Sequence, residues 1–328
     1  MNKLFSIVKP LRVNNKSNIV VFSVVADELY LLPHFLAHHR VLGVEQFLFY
    51  VDYSTDGTLE YLSAQDDCAI VTSPKAFGDP MIFSARGQKI SQRFGIFCKT
   101  YFPSIFLKGK WVIILDADEF LFLPRPSTSI NDFVARLYEN GLQSCRALMI
   151  DFFPNKLSEL SDCDRSCSPF NLAPYFDAHS VNWPNNTIRP INYDTSPTIR
   201  NRIVDEQERR EALPVEIVKK QKLNWMYKSP ITRWTPNTFY YHSHTSNHIQ
   251  SDKVQVVLAH FKFYPGWGKK VSNAMRDKQY YSGSIKYQPL HYAYKYLQDW
   301  SLVASHSIRF VDTNDFINEG LLFDNIKT

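Results

Sequence analysis

The sequence lacks several features, and each absence narrows what the chain can be. No apolar run approaches the roughly 20 residues that a helix needs to cross a bilayer, and the longest, such as Ile19–Val25, fall far short. Residues 1–18 carry Lys3, Lys9, Arg12 and Lys16 without a long apolar core, a pattern that excludes a secretory signal. The expectation is a cytoplasmic protein with at most peripheral contact with the inner membrane surface. Cysteine is sparse: five residues, odd in number and scattered, which suits reduced thiols better than a disulfide framework. Only Cys163 and Cys167 lie close together, and they lack the second pair that a structural zinc site needs. No concentrated basic stripe is present. The net charge of +5 comes from dispersed Lys and Arg. Short runs such as Arg209-Arg210 and Lys219-Lys220 sit among Glu and Gln as solvated helix faces. That distribution argues against a nucleic-acid partner. The mild positive balance still suits an anionic ligand or surface. There is no internal repeat and no low-complexity tract.

What is present suffices for a large core. At 328 residues and 45% hydrophobic content, one large α/β domain or two smaller domains both fit. Aromatics reach 15% and read first as core, with ligand stacking as the rarer use. Ile19–Val25 has the look of a buried strand. Asp27 is placed as a helix cap and Pro33 in a first turn. Leu32, Phe35, Leu36, His39 and Leu42 recur at helical spacing, and Gly43 ends that helix. Further strands are read at Gln46–Val51, Cys68–Thr72 and Trp111–Leu115, with helices at Leu59–Ala64 and Ser84–Tyr101. Strand and helix in alternation imply a parallel sheet flanked by helices, with ligands at the carboxyl ends of the strands. Two segments fall there: Asp52–Thr58 and Asp116–Glu119. After Pro126 the texture changes. Arg146–Ile150, Ser229–Trp234, Thr238–His242 and Val254–Phe263 read as mixed or antiparallel strands. Residues 266–328 read as a helical, peripheral extension.

The most informative segment is Trp111-Val112-Ile113-Ile114-Leu115-Asp116-Ala117-Asp118-Glu119-Phe120. An apolar strand delivers three carboxylates within four residues at its carboxyl end. Clustered unpaired carboxylates repel and resist burial, so packing does not account for them. A divalent cation resolves the repulsion, and hard cations such as Mg²⁺ take carboxylate together with phosphate oxygens. Alternation puts Asp116 and Asp118 on one side of an extended segment. The plain alternative is a solvated acidic turn.

These residues carry a resemblance. Val51-Asp52-Tyr53-Ser54-Thr55-Asp56-Gly57-Thr58 resembles the nucleotide-recognition segment of family-two glycosyltransferases, and Asp116-Ala117-Asp118-Glu119-Phe120 resembles their metal motif. Leu29–Gly43, Lys228-Ser229-Pro230-Ile231-Thr232-Arg233-Trp234 and Leu258-Ala259-His260-Phe261-Lys262-Phe263 are similar to a bacterial subgroup with a DADEF-type metal motif. The likeness runs over residues 18–265 in consistent order. It implies a GT-A fold with a nucleotide-binding half (18–125) and an acceptor half (126–265). It also implies a nucleotide-sugar donor, with a UDP-sugar expected, Mn²⁺ or Mg²⁺, inversion at the anomeric carbon, and a glycan or lipid-linked acceptor. Two departures stand out. Ala26-Asp27-Glu28 replaces the usual Lys-Asn-Glu, and Tyr53 stands where an acidic or small residue is frequent.

The site expected on this reading has Asp116 and Asp118 as metal ligands, with His260 facing the metal or a phosphate. Glu119 supports the ligands from behind. Asp52 meets the base of the nucleotide or only orders its turn, and Asp56 with Gly57 shapes that turn. Arg200, Arg202 and Lys228 are candidates for phosphate or an acidic sugar, and His244 is a further site candidate. Asp151 and Asp177 remain alternative bases for the acceptor hydroxyl. Two other readings compete. A nucleotidyltransferase uses similar carboxylates but opens with a Gly- and Arg-rich phosphate loop, which Ala26-Asp27-Glu28-Leu29 is not. A sugar- or nucleotide-binding protein without catalysis would not need Asp116, Asp118 and His260 intact.

Overall fold

The computed structural model describes residues 4–11, 18–85, 88–160, 166–179, 198–211, 213–222, 225–278 and 281–326. Its strands, in chain order, begin with β1 (Ser6–Lys9), β2 (Ile19–Val25), β3 (Phe47–Val51), β4 (Cys68–Thr72), β5 (Pro80–Ala85) and β6 (Gln88–Arg93). They continue with β7 (Trp111–Ile114), β8 (Glu119–Phe122), β9 (Ser144–Phe153) and β10 (Tyr175–Asp177). The last four are β11 (Tyr227–Arg233), β12 (Val254–Phe261), β13 (Ser307–Arg309) and β14 (Phe323–Asp324).

Alternation along the strands decides which helix covers which face. Ile19, Val21, Phe47, Phe49 and Ile113 pack on one side with Leu32, Phe35 and Leu36 of the helix Leu32–Val41 and with Phe133 and Leu137 of Ile130–Glu139. Val20, Phe22, Leu48, Tyr50 and Val112 point to the other side. There they meet Phe94, Phe97, Cys98 and Phe102 of the helix Phe94–Phe106. Both faces are covered, so these strands are apolar throughout. The result is an α/β fold with helices on both faces of a central sheet.

The sheet runs β1-β4-β3-β2-β7-β11-β9-β10-β13. The neighbours β4, β3, β2 and β7 are parallel. β11 is antiparallel to both β7 and β9, and β12 is parallel to β9. β2, β3, β4, β7, β9 and β12 therefore all run the same way. Strand order reverses between β2 and β7, and this is the point where such sheets bind ligands. β12 leaves the main path to pair with β8 and β14 as well.

Several expectations need correction. The helix read over Ser84–Tyr101 is a hairpin, β5 with β6, followed by the helix Phe94–Phe106. Thr238–His242 is not a strand and makes only an isolated bridge, Tyr240 with Ser246. Two of its backbone donors go to side chains: Tyr240 N–H to Thr100 Oγ1 and Phe239 N–H to Asn247 Oδ1, both at 2.9 Å. Asp27 does not cap the first helix, whose N-cap is Leu31. Its carboxylate accepts from Thr55 N–H at 2.7 Å and ties the turn after β2 to the one after β3. Asp56 does shape that second turn, accepting from Thr58 N–H at 3.0 Å. Cys163 lies outside the described residues, and Cys167 is a half-buried free thiol.

The tail is not wholly helical or peripheral. β13 extends the sheet beside β10, and β14 pairs with β12. Phe316, Leu321 and Leu322 are buried in the main core, where Phe316 packs with Phe122, Phe152, Phe176 and Phe310. Phe316→Ala should therefore lower the free energy of unfolding by about 3–5 kcal/mol, measured by urea denaturation. A tail that merely rests on the surface would show almost no change.

Candidate active site

The turn after β7 is built by its own acids. Glu119 N–H donates to Asp116 O at 3.0 Å, and the Glu119 carboxylate returns to accept from Asp116 N–H, also at 3.0 Å. Phe261 N–H holds Asp118 O at 2.8 Å. The turn therefore opens β8 in a fixed register with β12, with Glu119 opposite His260. On the other edge of β12, His260 stands level with Asp151 of β9. Strand pairing alone thus brings together residues that lie far apart in sequence.

A ring of cations surrounds the acids. Lys99 and Lys228 each place Nζ on Asp116, at 2.8 and 2.9 Å, and Lys228 also reaches Glu119 at 2.5 Å. Lys262 pairs with Asp118 Oδ2. His260 Nε2 lies 3.5 Å from the same oxygen, while its Nδ1 is 2.5 Å from Asp151 Oδ1. Arg200 grips Asp151 through Nη2 at 2.8 Å and through Nε. Lys270 pairs with Glu28 at the end of β2. Asp116 stays 38% exposed at its side chain, whereas Asp118, Glu119, Asp151 and His260 are buried.

Charge and burial set the protonation states. Dehydration would raise Asp116, but Lys228 and Lys99 together bring it well below the usual carboxylate range. Burial is likewise outweighed at Asp118 chiefly by Lys262, and at Asp151 chiefly by Arg200, so both are held low. Glu119 and Glu28 move the other way. Burial raises both, only partly countered by Lys228 and Lys270 respectively. Burial lowers Lys99 despite Asp116, and the two acids raise Lys228.

The donor set fits a divalent ion. Asp118, Glu119 and His260 each offer one ligand atom, and these atoms lie within 4.8 Å of one another. Asp118 Oδ1 is buried and has no hydrogen-bond partner among the described residues. A buried carboxylate oxygen without a donor is costly unless a cation meets it. Asp116, by contrast, spends its oxygens on two lysines.

The remaining candidates are placed as follows. Lys228 and Arg200 reach the cluster, both through its carboxylates. Arg202 does not; it pairs with Asp177 at 2.7 Å and donates to Leu302 O. Asp177 also accepts from Ser307 at 2.7 Å, which fastens β13 to the helix Ile199–Glu211. Asp52 is buried and turned inward, accepting from Phe77 N–H at 3.0 Å, and burial raises its pKa. Gly95 permits this, since a Cβ there would stand 1.9 Å from the Phe77 ring. His244 turns its Nδ1 toward Tyr227 O at 3.0 Å and is held well below its ordinary pKa by burial and Lys228. Sequence reasoning missed Lys99, Lys262, Lys270 and the part played by Glu28. Lys99 left a trace: it is the only charge in the helix Phe94–Phe106.

No family model matches the chain, and no curated protein matches it. Solved structures do. One is a UDP-glucose pyrophosphorylase from Acinetobacter baumanii, at 9% identity and a TM-score of 0.25, covering 44% of this chain and 60% of that one. Another, from Bacillus anthracis, is assigned as a glucose-1-phosphate thymidylyltransferase in complex with sucrose. Its identity is 8% and its TM-score 0.29, over 63% of this chain and 82% of that one. HddC from Yersinia pseudotuberculosis shows 13% identity and a TM-score of 0.24, over 44% and 63%. Likeness at this level carries no assignment of activity.

The ion pairs imply a pH dependence of stability. Asp116, Asp118 and Asp151 have depressed folded pKa values, so they add stability above the ordinary carboxylate range near pH 4. That stability is lost as pH falls through their folded values. Glu28 and Glu119 are raised and act in the opposite sense: their contribution is present below the ordinary value and lost as pH rises through the raised one. The urea midpoint should fall on acidification below about pH 4, and Asp116→Asn should show a shallower acid limb. Identical limbs would mean that Asp116 gains nothing from its lysines.

Proposed function

We propose that this chain is a metal-dependent glycosyltransferase. It takes a sugar from a nucleotide-diphosphate donor, a UDP-sugar in the simplest case, and passes it with inversion to a glycan or lipid-linked acceptor. The observation that carries this reading is the unpartnered Asp118 Oδ1 beside Glu119 and His260, at the carboxyl ends of the strands where the sheet order reverses. Asp118, Glu119 and His260 hold the ion. One imidazole among oxygen ligands favours Mn²⁺ over Mg²⁺. When bound, a divalent ion acts as a Lewis acid toward the departing nucleoside diphosphate.

The chain's own groups do the rest. Lys99 and Lys228 bring two ammonium groups to the half-exposed Asp116, where they offer fixed positive charge to the diphosphate. Asp52 orders the loop at Phe77, which borders the nucleotide. Asp151 and Asp177 are tied up in ion pairs with Arg200 and Arg202, and Glu119 belongs to the donor set for the ion. Glu28 is the better base. Its Oε2 is buried with no partner among the described residues, and burial raises its basicity toward the operating pH. No described helix is long and apolar enough to cross a membrane, which leaves a lipid-linked acceptor to be met at a surface.

Calorimetry tests the metal and the nucleotide together. UDP should bind in the presence of Mn²⁺, bind much more weakly without it, and fail to bind to Asp118→Asn at unchanged circular dichroism. Equal affinity with and without Mn²⁺ would overturn the metal assignment. A nucleotide-sugar screen then separates transfer, which releases UDP, from nucleotidyl transfer, which consumes UTP and releases pyrophosphate. For the base, Glu28→Gln should keep UDP binding and lose about 10²–10⁴-fold in turnover. Retained turnover would remove Glu28 from that role.

A further inference from the structure

Asp151 meets the ordinary description of a catalytic carboxylate: acidic, buried and beside the candidate metal ligands. Its surroundings point elsewhere. It is 4% exposed, Arg200 takes one oxygen through Nη2 and the other through Nε, and His260 Nδ1 sits 2.5 Å from Oδ1. Both oxygens are thus in contact with a neighbouring donor group. We infer that Asp151 is a positioning residue, which holds His260 as the tautomer with its proton on Nδ1 and its lone pair on Nε2 facing Asp118 and Glu119. The inference rests on the metal reading above and extends it to a residue outside the donor set.

Three features of the geometry carry it. First, Asp151 is a carboxylate ion-paired with a guanidinium and can only accept, so the hydrogen between it and Nδ1 belongs to the imidazole. Arg200 Nη2, 3.1 Å from Nδ1, would donate to it in the other tautomer, but that tautomer would set the Nδ1 lone pair against the carboxylate oxygen only 2.5 Å away. Second, with Nδ1 protonated, the neutral ring turns a lone pair on Nε2 toward Asp118 Oδ2 at 3.5 Å. Two acceptors face each other comfortably only across positive charge, which Lys262 brings to Asp118 Oδ2 and a bound ion would bring to Nε2. Third, the strand register fixes the ring from both sides, since His260 of β12 lies level with Asp151 of β9 and Glu119 of β8. A carboxylate on the far nitrogen orients a metal-bound histidine and strengthens it as a ligand. Arg200 keeps that carboxylate ionised and in place.

The test needs neither donor nor transfer. In protein labelled with ¹⁵N-histidine and saturated with Mg²⁺, which is diamagnetic, long-range ¹H–¹⁵N spectra report the tautomer. The His260 signal is identified by its loss in His260→Gln. The expected pattern is a protonated Nδ1 and an unprotonated Nε2. Binding of Mn²⁺ alone, followed by electron paramagnetic resonance of the free ion, should weaken by about 10–100-fold in Asp151→Ala. Asp151→Asn, whose amide oxygen still accepts from Nδ1, should weaken it less. A wild-type ring protonated on Nε2 would overturn the inference without recourse to any variant. So would an unchanged Mn²⁺ midpoint in Asp151→Ala. An Asp151→Asn variant that binds Mn²⁺ normally yet loses all transfer would restore Asp151 as the base. If UDP proves not to bind while tautomer and Mn²⁺ midpoints behave as stated, the transferase reading falls and the role of Asp151 stands.

Discussion

Mutual repulsion among the carboxylates at the end of β7 is the constraint around which the rest of the molecule is arranged. Asp116, Asp118 and Glu119 cannot share a turn, two of them buried, unless positive charge is brought to each. The chain draws that charge from widely separated elements. Lys99 comes from the helix on the far face of the sheet, and Lys228 from β11, which runs against both of its neighbours. Lys262 follows β12, and Arg200 opens the helix Ile199–Glu211. Each such ion pair costs desolvation that its Coulomb energy only partly returns. The apolar layers supply the stability that tolerates the cluster.

Those layers also explain where the polar groups emerge. In the parallel strands both faces are sealed by helices, so the ends of the strands are the natural exit for charged side chains. β12 pairs along its two edges with β9 and β8, and each edge contributes an acid to its histidine. A short antiparallel return, β8, thereby turns the end of a parallel sheet into a three-sided enclosure.

Much of this was legible in the sequence. β2, β3, β4 and β7 were readable because each is a compact apolar run bounded by turn residues, and the acidic turn because no packing argument accounts for it. The hairpin β5–β6 was not, because two short strands that pair only with each other leave little periodic signal. Thr238–His242 alternates as a strand would, yet side-chain acceptors from Thr100 and Asn247 replace the missing neighbour. The tail was misjudged because β13 and β14 are too short to register, although Phe310 and Phe316 are aromatic enough to belong inside. The partnership of Asp151, Arg200 and His260 was out of reach, since residues up to 109 positions apart meet only through register. Asp177, read as an alternative base, and Arg202, read as a phosphate or acidic-sugar contact, pair with each other away from the acidic turn.

The pairing of β14 with β12 bears on how the protein comes into being. β12 carries His260, and residues 323–324 cover the start of that strand while Phe316 plugs the core beneath. During synthesis, the parallel strands β2, β3, β4 and β7 can assemble from the first third of the chain. The start of β12 stays uncovered on one edge until β14 has been made. The acidic turn therefore exists for a time with its carboxylates assembled and part of its scaffold absent. Long-range contacts of this kind form late in folding, so the start of β12 is secured after the turn that faces His260 has its strands.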